Sequence, residues 1–140
     1  MYGDKLVAVI VPAYNEEKQI RLVLDMMPSF VDRIIVVNDG STDATADVVK
    51  EYIFKASSTD VSIDKIACEF EDTPYNYALK ILCEMREKEE ELYPKSNIFN
   101  ENSRDRIILI NQDNSGVGAA IATGYKWCRD HSIDCVAVMA

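Results

Sequence analysis

Short runs rich in valine and isoleucine alternate with amphipathic stretches along the chain, and this alternation constrains the fold more than any other feature. The apolar runs are Leu6–Val11, Arg33–Asn38, Arg106–Asn111 and Asp134–Ala140. A strand that is covered on both faces is continuously apolar, whereas a strand with one wet face alternates. Strands of the first kind, when helices separate them, pair in parallel through right-handed crossovers. The sequence therefore predicts an α/β fold with a doubly wound, Rossmann-like parallel sheet in three layers.

Helical spacing of apolar residues supports the same fold. The pattern covers Glu17–Met27 after the first run and Val117–Arg129 after the third. After the second run, Ser41, Thr42 and Asp43 are candidate helix caps, and apolar residues then recur on one helical face as far as Ile53. These stretches are the predicted crossover helices.

A segment of roughly Phe54 to Asp105 interrupts this rhythm where a short loop would suffice. Within it, Ala78, Leu82 and Met85 form an apolar stripe with charged residues opposite. We interpret the segment as an insertion at about 54–105 that carries an acidic amphipathic helix packed on the sheet or on its edge. A partner-binding helix is the alternative. The polar flanks of the helix are expected to be mobile loops.

Composition excludes several classes of protein. A chain of 140 residues suits a single domain, and its net charge of −9 argues against a nucleic-acid binder, which needs a basic face. No apolar stretch approaches the ~18 residues of a membrane span. The cysteines show neither metal-ligand spacing nor paired motifs, so we expect reduced thiols in a cytoplasmic protein. They are Cys68, Cys83, Cys128 and Cys135.

Unusual residues gather where the first three predicted strands end, and ligands of parallel sheets bind at these carboxyl ends. Pro12 has no N–H, so it is expected to end strand pairing and to offer a rigid edge to a planar ring. Tyr14 adds an aromatic wall with a polar tip. Glu16, at a helix start, is an acceptor suited to ribose hydroxyls, while Asp39 suits a base N–H or a ribose hydroxyl. Gly40 allows a sharp turn beside Asp39.

A simpler interpretation is that these acidic and hydroxyl residues are only helix caps. We prefer it for Ser41 and Asp43, and we prefer ligand contact for Asp39 because it precedes a glycine. Other nucleotide motifs are missing, since the first strand–helix turn holds no glycine and no phosphate-binding P-loop occurs. His131, the only histidine, is interpreted as a residue of a helix C-terminus rather than as a catalyst.

Three motifs follow one another along the chain: "VIVPAYNEEKQI", "IIVVNDGSTDAT" and "NSGVGAAIATGY". In this order they resemble family 2 glycosyltransferases, which have the GT-A fold, and in particular their polyprenyl-phosphate (dolichyl-phosphate mannose synthase-like) branch. The resemblance covers about 5–53 and 106–140. It implies that residues 1–140 form the nucleotide-sugar-binding N-terminal part of an inverting glycosyltransferase domain. The residues that it places at the donor are Pro12, Ala13, Tyr14, Glu16, Asp39, Gly40, Asn114, Gly116 and Gly118.

Two departures qualify this resemblance. Val117 stands between the glycines where many relatives have a basic residue, so a positive charge beside the diphosphate is missing. The family's metal-binding Asp-x-Asp is expected within about six residues after Ala140, at the end of the last strand, with the catalytic base further on. We therefore expect an N-terminal fragment, with no catalytic or metal ligand of its own, that is inactive alone.

The resemblance also implies substrates and a cofactor for a complete enzyme. These are a UDP- or GDP-sugar donor, an acceptor hydroxyl, glycan or polyprenyl phosphate, and Mg²⁺ or Mn²⁺. It leaves open homo-oligomer formation and attachment to the cytoplasmic face of a membrane through further segments. Two alternatives stay open: a non-catalytic nucleotide-binding or scaffolding module, and a nucleotidyltransferase. The latter ranks last because Pro12–Glu17 is neither glycine-rich nor basic.

Overall fold

A five-stranded sheet forms the centre of the molecule. The structure is a computed structural model that describes residues 1–56, 61–67, 69–102 and 104–139. The strands stand in the order β3-β4-β2-β1-β5, and all neighbours are parallel except β3 and β4. Their bounds are β1 Val7–Ala13, β2 Arg33–Asp39, β3 Ser96–Ile98, β4 Ile107–Gln112 and β5 Cys135–Val138.

Helices on both faces of the sheet cover it. They are α1 Glu17–Asp25, α2 Thr45–Lys55 and α4 Val117–Asp130. A further helix, α3 Tyr77–Glu90, follows a 3₁₀ turn at Pro74–Asn76 and has no buried residue. One apolar core lies between the sheet and the helices α1 and α2, and a second lies between the sheet and α4. Every residue of β2 is buried, which explains the continuous apolar run at 34–37 in its centre. The predicted α/β, Rossmann-like three-layer architecture is confirmed.

The strand order reverses between β1 and β5. From β1 the chain adds β2 and then β4 on one side, and it returns to place β5 on the other side of β1. Ligands of open α/β sheets bind at the carboxyl ends of the strands beside such a reversal. The loops after β1, β2 and β4 lie at this edge, as the sequence predicts.

Part of the insertion belongs to the sheet, so the prediction that both of its flanks are mobile loops is wrong. Ser96–Ile98 pairs with β4 as the antiparallel edge strand β3. Next to it, Asn100 accepts from the Leu109 N–H at 3.0 Å and donates to the Ile107 carbonyl at 2.7 Å. One polar side chain thus continues the pairing with β4 where the ladder ends. A three-residue strand without an apolar pattern gives no periodic signal.

The acidic helix is present, but its predicted packing on the sheet is wrong. No residue of α3 is buried, and Leu82 and Met85 are 53% and 61% exposed. Ion pairs join the last turn of α3 to α4 instead, with Arg129 Nη1 2.9 Å from Glu89 and Lys126 Nζ 3.2 Å from Glu90. The partner-binding alternative for α3 stays a prediction.

The cysteines differ in state. Cys83 in α3 is disulfide-bonded, so the expectation of a reduced thiol is wrong there. Cys128 is free and buried, and burial raises the pKa of its thiol to about 12. Cys135 is free and exposed, whereas Cys68 lies outside the described residues. Among the helices that the structure describes, none has the length and apolar content needed to cross a membrane.

Candidate functional site

A cavity of about 360 Å³ opens at the carboxyl ends of the strands. All predicted site residues except Gly40 and Gly118 line it, and Val117 and Ala120 complete its wall. The lining residues are Pro12, Ala13, Tyr14, Glu16, Asp39, Asn114, Gly116, Val117 and Ala120. The three loops that the sequence singles out therefore meet in one cleft.

Pro12 lies within β1 and pairs in register with Val37, so the prediction that it ends strand pairing is wrong on the β2 side. Backbone groups of a strand point to alternate sides with a period of two. The Ile10 carbonyl accepts from the Met139 N–H beside β5, so Pro12 faces the same side. Register with β5 ends at Ile10 and Val138, so no ladder bond needs the missing N–H of proline.

The loop after β2 supplies acceptors for the first backbone N–H groups of the loop after β1. The donors Asn15, Glu16 and Glu17 bond to Ser41 Oγ at 3.0 Å, Thr45 Oγ1 at 3.0 Å and Asp43 Oδ2 at 3.3 Å, respectively. These N–H groups lie at the start of α1, where the helix itself offers no acceptor. The start of α1 is therefore held by side chains that lie about one strand–helix unit further along the chain.

The contact is reciprocal at Asn15. Its φ of 51° is left-handed, and its Oδ1 accepts from Thr42 N–H at 2.8 Å and from Thr42 Oγ1 at 3.3 Å. Asparagine tolerates this conformation better than most residues because its short amide bonds locally. We call this set of contacts between Asn15–Glu17 and Ser41–Thr45 the loop clasp. It fixes the distance between two walls of the cavity.

Asp43 bonds to the first residue of each of two helices, but the N-cap position of α2 is Ala44, so the prediction that Asp43 is the N-cap residue is wrong. Its carboxylate accepts from the Thr45 hydroxyl and from Thr45 N–H at 3.0 Å, as well as from Glu17 N–H. The Thr45 hydrogen bond holds the pKa of Asp43 below its usual value. Ser41 does not cap α2, since its hydroxyl accepts from Asn15 in the other loop.

Asp39 is buried, with 4% of its surface exposed, and bonds to the glycine loop. Its Oδ1 accepts from Gln112 Nε2 and from Ser115 N–H, both at 2.8 Å, and its Oδ2 accepts from Gly116 N–H at 2.9 Å. Gly116 is the N-cap of α4, so Asp39 caps that helix from a neighbouring strand. Asp39 also lines the cavity, and its contact with a ligand stays a prediction.

The glycines have different roles. Gly40 has φ +70°, and a Cβ there would lie 2.9 Å from the Asn114 backbone nitrogen, so this turn packs directly on the third loop. Gly116 has φ +94°, which an L side chain rarely adopts. Gly118 has neither positive φ nor any heavy atom within 4 Å of a Cβ, so the fold does not require glycine there.

Glu16 occupies the N-cap position of α1 without capping it through its side chain. Its carboxylate makes no hydrogen bond or ion pair to the residues that the structure describes, and it lines the cavity. The carboxylate is therefore free to accept bonds from a ligand, while the helix start beside it favours negative charge.

A divalent cation does not fit the described part of this chain by itself. No group of three or more His, Cys, Asp or Glu side chains gathers anywhere in the described ranges. Both oxygens of Asp39, the buried carboxylate of the cavity, already accept N–H groups. We derive no step that depends on a metal.

His131 is the C-cap of α4, as the sequence predicts. Its Nδ1 lies 2.7 Å from the Trp127 carbonyl, and its ring stacks on that indole at 3.8 Å. Burial lowers the pKa of His131. It lies outside the lining of this cavity but lines a second cavity of about 230 Å³ together with Trp127 and Asp130.

Sequence reasoning missed four contributors to the site. Asn15 and Thr45 form the clasp, and Gln112 and Thr123 lie beneath Asp39. Asn15 and Thr45 lie within the first two quoted motifs, and this is the one signal for them that the sequence offers. Gln112 ends a strand like Asp39, but nothing local marks it as the partner of a residue 73 positions away.

Known proteins resemble the first part of the chain. Residues 8–65 match the family model described as "Glycosyl transferase family 2". This stretch contains the first two motifs, and the glycine motif lies beyond it. The resemblance to family 2 glycosyltransferases, including dolichyl-phosphate sugar transferases, is confirmed.

The similar proteins are much longer than the aligned region. A UDP-N-acetylglucosamine–dolichyl-phosphate N-acetylglucosaminyltransferase of Methanococcus voltae is 48% identical over 50 residues, which cover 35% of this chain and 20% of the relative. A dolichyl-phosphate beta-glucosyltransferase of Homo sapiens is 36% identical over 70 residues, covering 42% and 22%, respectively. The chain thus spans about a fifth of the length of these curated relatives. No solved structure matches it.

Proposed function

We propose, from the similarity to family 2 glycosyltransferases and from the cleft at the sheet edge, that the protein binds a nucleotide-diphosphate sugar and transfers its sugar. The observation that carries the proposal is the loop clasp. It holds the two motifs that resemble the family against each other, so that Tyr14 and Glu16 face Asp39 and Gly116 across one cavity. An open sheet places its ligands at this edge.

The groups in the cavity suit the parts of such a donor. Pro12 and Tyr14 offer a rigid edge and an aromatic surface for the base. The unpaired carboxylate of Glu16 is an acceptor for ribose hydroxyls. The first-turn N–H groups of α4 have no acceptor within the helix and, with the helix dipole, favour an anionic diphosphate. Among the described residues, no cationic side chain lines the cavity.

We propose a polyprenyl phosphate as the acceptor, because similar proteins carry dolichyl phosphate in their names. Because such an acceptor is a lipid, sugar transfer to it would take place at a membrane surface. A UDP-sugar is the favoured donor, since the name of the Methanococcus relative contains UDP-N-acetylglucosamine. Dependence on Mg²⁺ or Mn²⁺ is a further proposal, which titration of donor binding with Mn²⁺ checks.

The test compares Glu16→Gln with Glu17→Gln in the full-length protein. Both changes remove one negative charge at the same helix start, but only Glu16 lines the cavity. We expect Glu16→Gln to weaken binding of a UDP-sugar roughly tenfold, the scale of one charged hydrogen bond. Glu17→Gln should stay within about twofold of the wild type, since any shared effect of charge is small.

Calorimetry measures the binding, and transfer to a short polyprenyl phosphate measures the activity. Equal effects of the two changes would show that general charge, not contact with the donor, explains the loss. Donor binding without transfer would favour the non-catalytic nucleotide-binding module instead. A protein that binds neither UDP- nor GDP-sugars would refute the proposed function.

A further inference from the structure

A buried row of polar side chains runs from the middle of α4 to the wall of the cavity. The Thr123 hydroxyl donates to Gln112 Oε1 at 2.7 Å, and Gln112 Nε2 donates to Asp39 Oδ1 at 2.8 Å. Thr123, Gln112 and Asp39 are 6%, 6% and 4% exposed, respectively. Asp39 then accepts from the backbone of Ser115 and Gly116. We call Thr123, Gln112 and Asp39 the polar row.

The backbone N–H groups of the glycine loop determine which group donates and which accepts in every hydrogen bond of the polar row. Backbone N–H groups only donate, so Asp39 must accept from the glycine loop. The Gln112 amide must then present its NH₂ group to Asp39 and its oxygen to Thr123. The Thr123 hydroxyl, which also lies 3.0 Å from the Ala119 carbonyl, holds that amide in the required orientation by donating to it.

Only one end of the polar row faces the cavity. Asp39 and Gly116 line it, whereas Gln112 and Thr123 do not. Gln112 and Thr123 therefore act on a molecule bound in this cavity only through Asp39 and the glycine loop, although Thr123 also lines a second cavity of about 230 Å³. Every group in a buried polar row needs its hydrogen-bond partner, because leaving one donor or acceptor without a partner costs more free energy than one ordinary hydrogen bond contributes.

We infer that Gln112 and Thr123 are positioning residues for the donor site. They hold the Asp39 carboxylate, which in turn fixes the glycine loop and the first turn of α4 as one wall of the cavity. The inference rests on the proposed function for the identity of the bound molecule. The effect on the glycine loop itself is independent of any ligand.

The experiment compares Thr123→Val with Thr123→Ser in the full-length protein. Valine keeps the shape of threonine but lacks the hydroxyl, while serine keeps the hydroxyl. Amide hydrogen exchange of peptides that cover 113–118, measured without ligand, reports the Ser115 and Gly116 bonds to Asp39. Calorimetry with UDP and with GDP reports binding, and denaturant unfolding reports global stability.

We expect Thr123→Val to speed exchange in 113–118 about tenfold and to weaken nucleotide binding about fivefold to tenfold, the range for one or two buried hydrogen bonds. Thr123→Ser should restore both measurements to within about twofold of the wild type, since it keeps the donor. Exchange in β1 should stay unchanged, which separates this local effect from a general loss of stability.

Gln112→Met is the second variant if Thr123→Val does not fold. It breaks the polar row at its centre with a side chain of similar volume, and it should have the same two effects. Unchanged exchange in 113–118 for a folded variant would overturn the inference. Faster exchange with unchanged nucleotide affinity would overturn the positioning role while leaving the proposed function intact. Wild-type protein that binds neither UDP nor GDP would overturn both.

Discussion

At Gly124, α4 packs directly on Ile10 of β1, and replacement of this glycine by alanine tests how closely the helix packs on the sheet. A Cβ at this position would lie 2.6 Å from Ile10 Cγ2, 2.9 Å from Cγ1 and 3.0 Å from Cδ1. Carbon atoms in contact prefer separations of about 3.5–4.0 Å. Ile10 is 0% exposed, so its side chain has no solvent to move into. The helix must therefore lift from β1 by roughly 1 Å, the shortfall from a normal carbon contact.

The expected cost is the difference between two terms. Overpacking of a core costs about 1–3 kcal/mol, and three simultaneous close contacts put this site near 3 kcal/mol. Alanine regains about 1 kcal/mol over glycine within a helix. Gly124→Ala should therefore destabilise the protein by about 2 kcal/mol. Since α4 begins at the cavity, donor binding should weaken as well.

Denaturant unfolding measures the change in the free energy of unfolding, provided that its dependence on denaturant concentration is the same in the variant and the wild type. The decisive comparison is made in an Ile10→Ala background, where the three clashing atoms are gone. There Gly124→Ala should stabilise by about 1 kcal/mol, so its effect changes sign. Gly118→Ala, in the same helix with open space around it, is the control and should be neutral or stabilise by up to about 1 kcal/mol. Destabilisation in both backgrounds would refute the close-packing argument.

Three further predictions concern single side chains. Asn15→Ala should weaken donor binding about fivefold, because it removes the acceptor of the Thr42 N–H and places alanine at a left-handed φ. Asn15→Asp keeps the acceptor, so calorimetry should show a smaller effect for this variant. Burial lowers the pKa of His131 in the folded protein below the value of 6.5 that it has in the unfolded chain. As the pH falls below about 6.5, the unfolded chain therefore binds a proton at His131 more readily than the folded protein does, and the free energy of unfolding decreases. His131→Gln should reduce that slope in unfolding titrations, and an unchanged slope would contradict the assignment. Iodoacetamide should label the exposed Cys135 well before Cys128, whose pKa is raised to about 12, and equal rates in peptide mapping would argue against burial of Cys128.

The sequence alone determined the layered architecture and the edge that holds the site. A strand buried on both faces is apolar along its centre, as at 34–37 of β2, and a crossover helix must repeat its apolar residues at helical spacing. Both patterns are local, so they can be read without knowledge of neighbours. Right-handed crossovers then bring the loops after β1, β2 and β4 to one edge, which places Tyr14, Asp39 and Gly116 together.

Only the tertiary structure decided which groups these loops bond to. The partners of Asp39 lie 73 to 77 positions away, and those of Asn15 to Glu17 lie 26 to 29 positions away. The same holds for Ser96–Ile98, which is a strand because β4 offers it an edge, and for α3, whose apolar stripe stays exposed. A hydrogen-bond partner depends on which elements become neighbours in space, and residue spacing within one element carries no information about that.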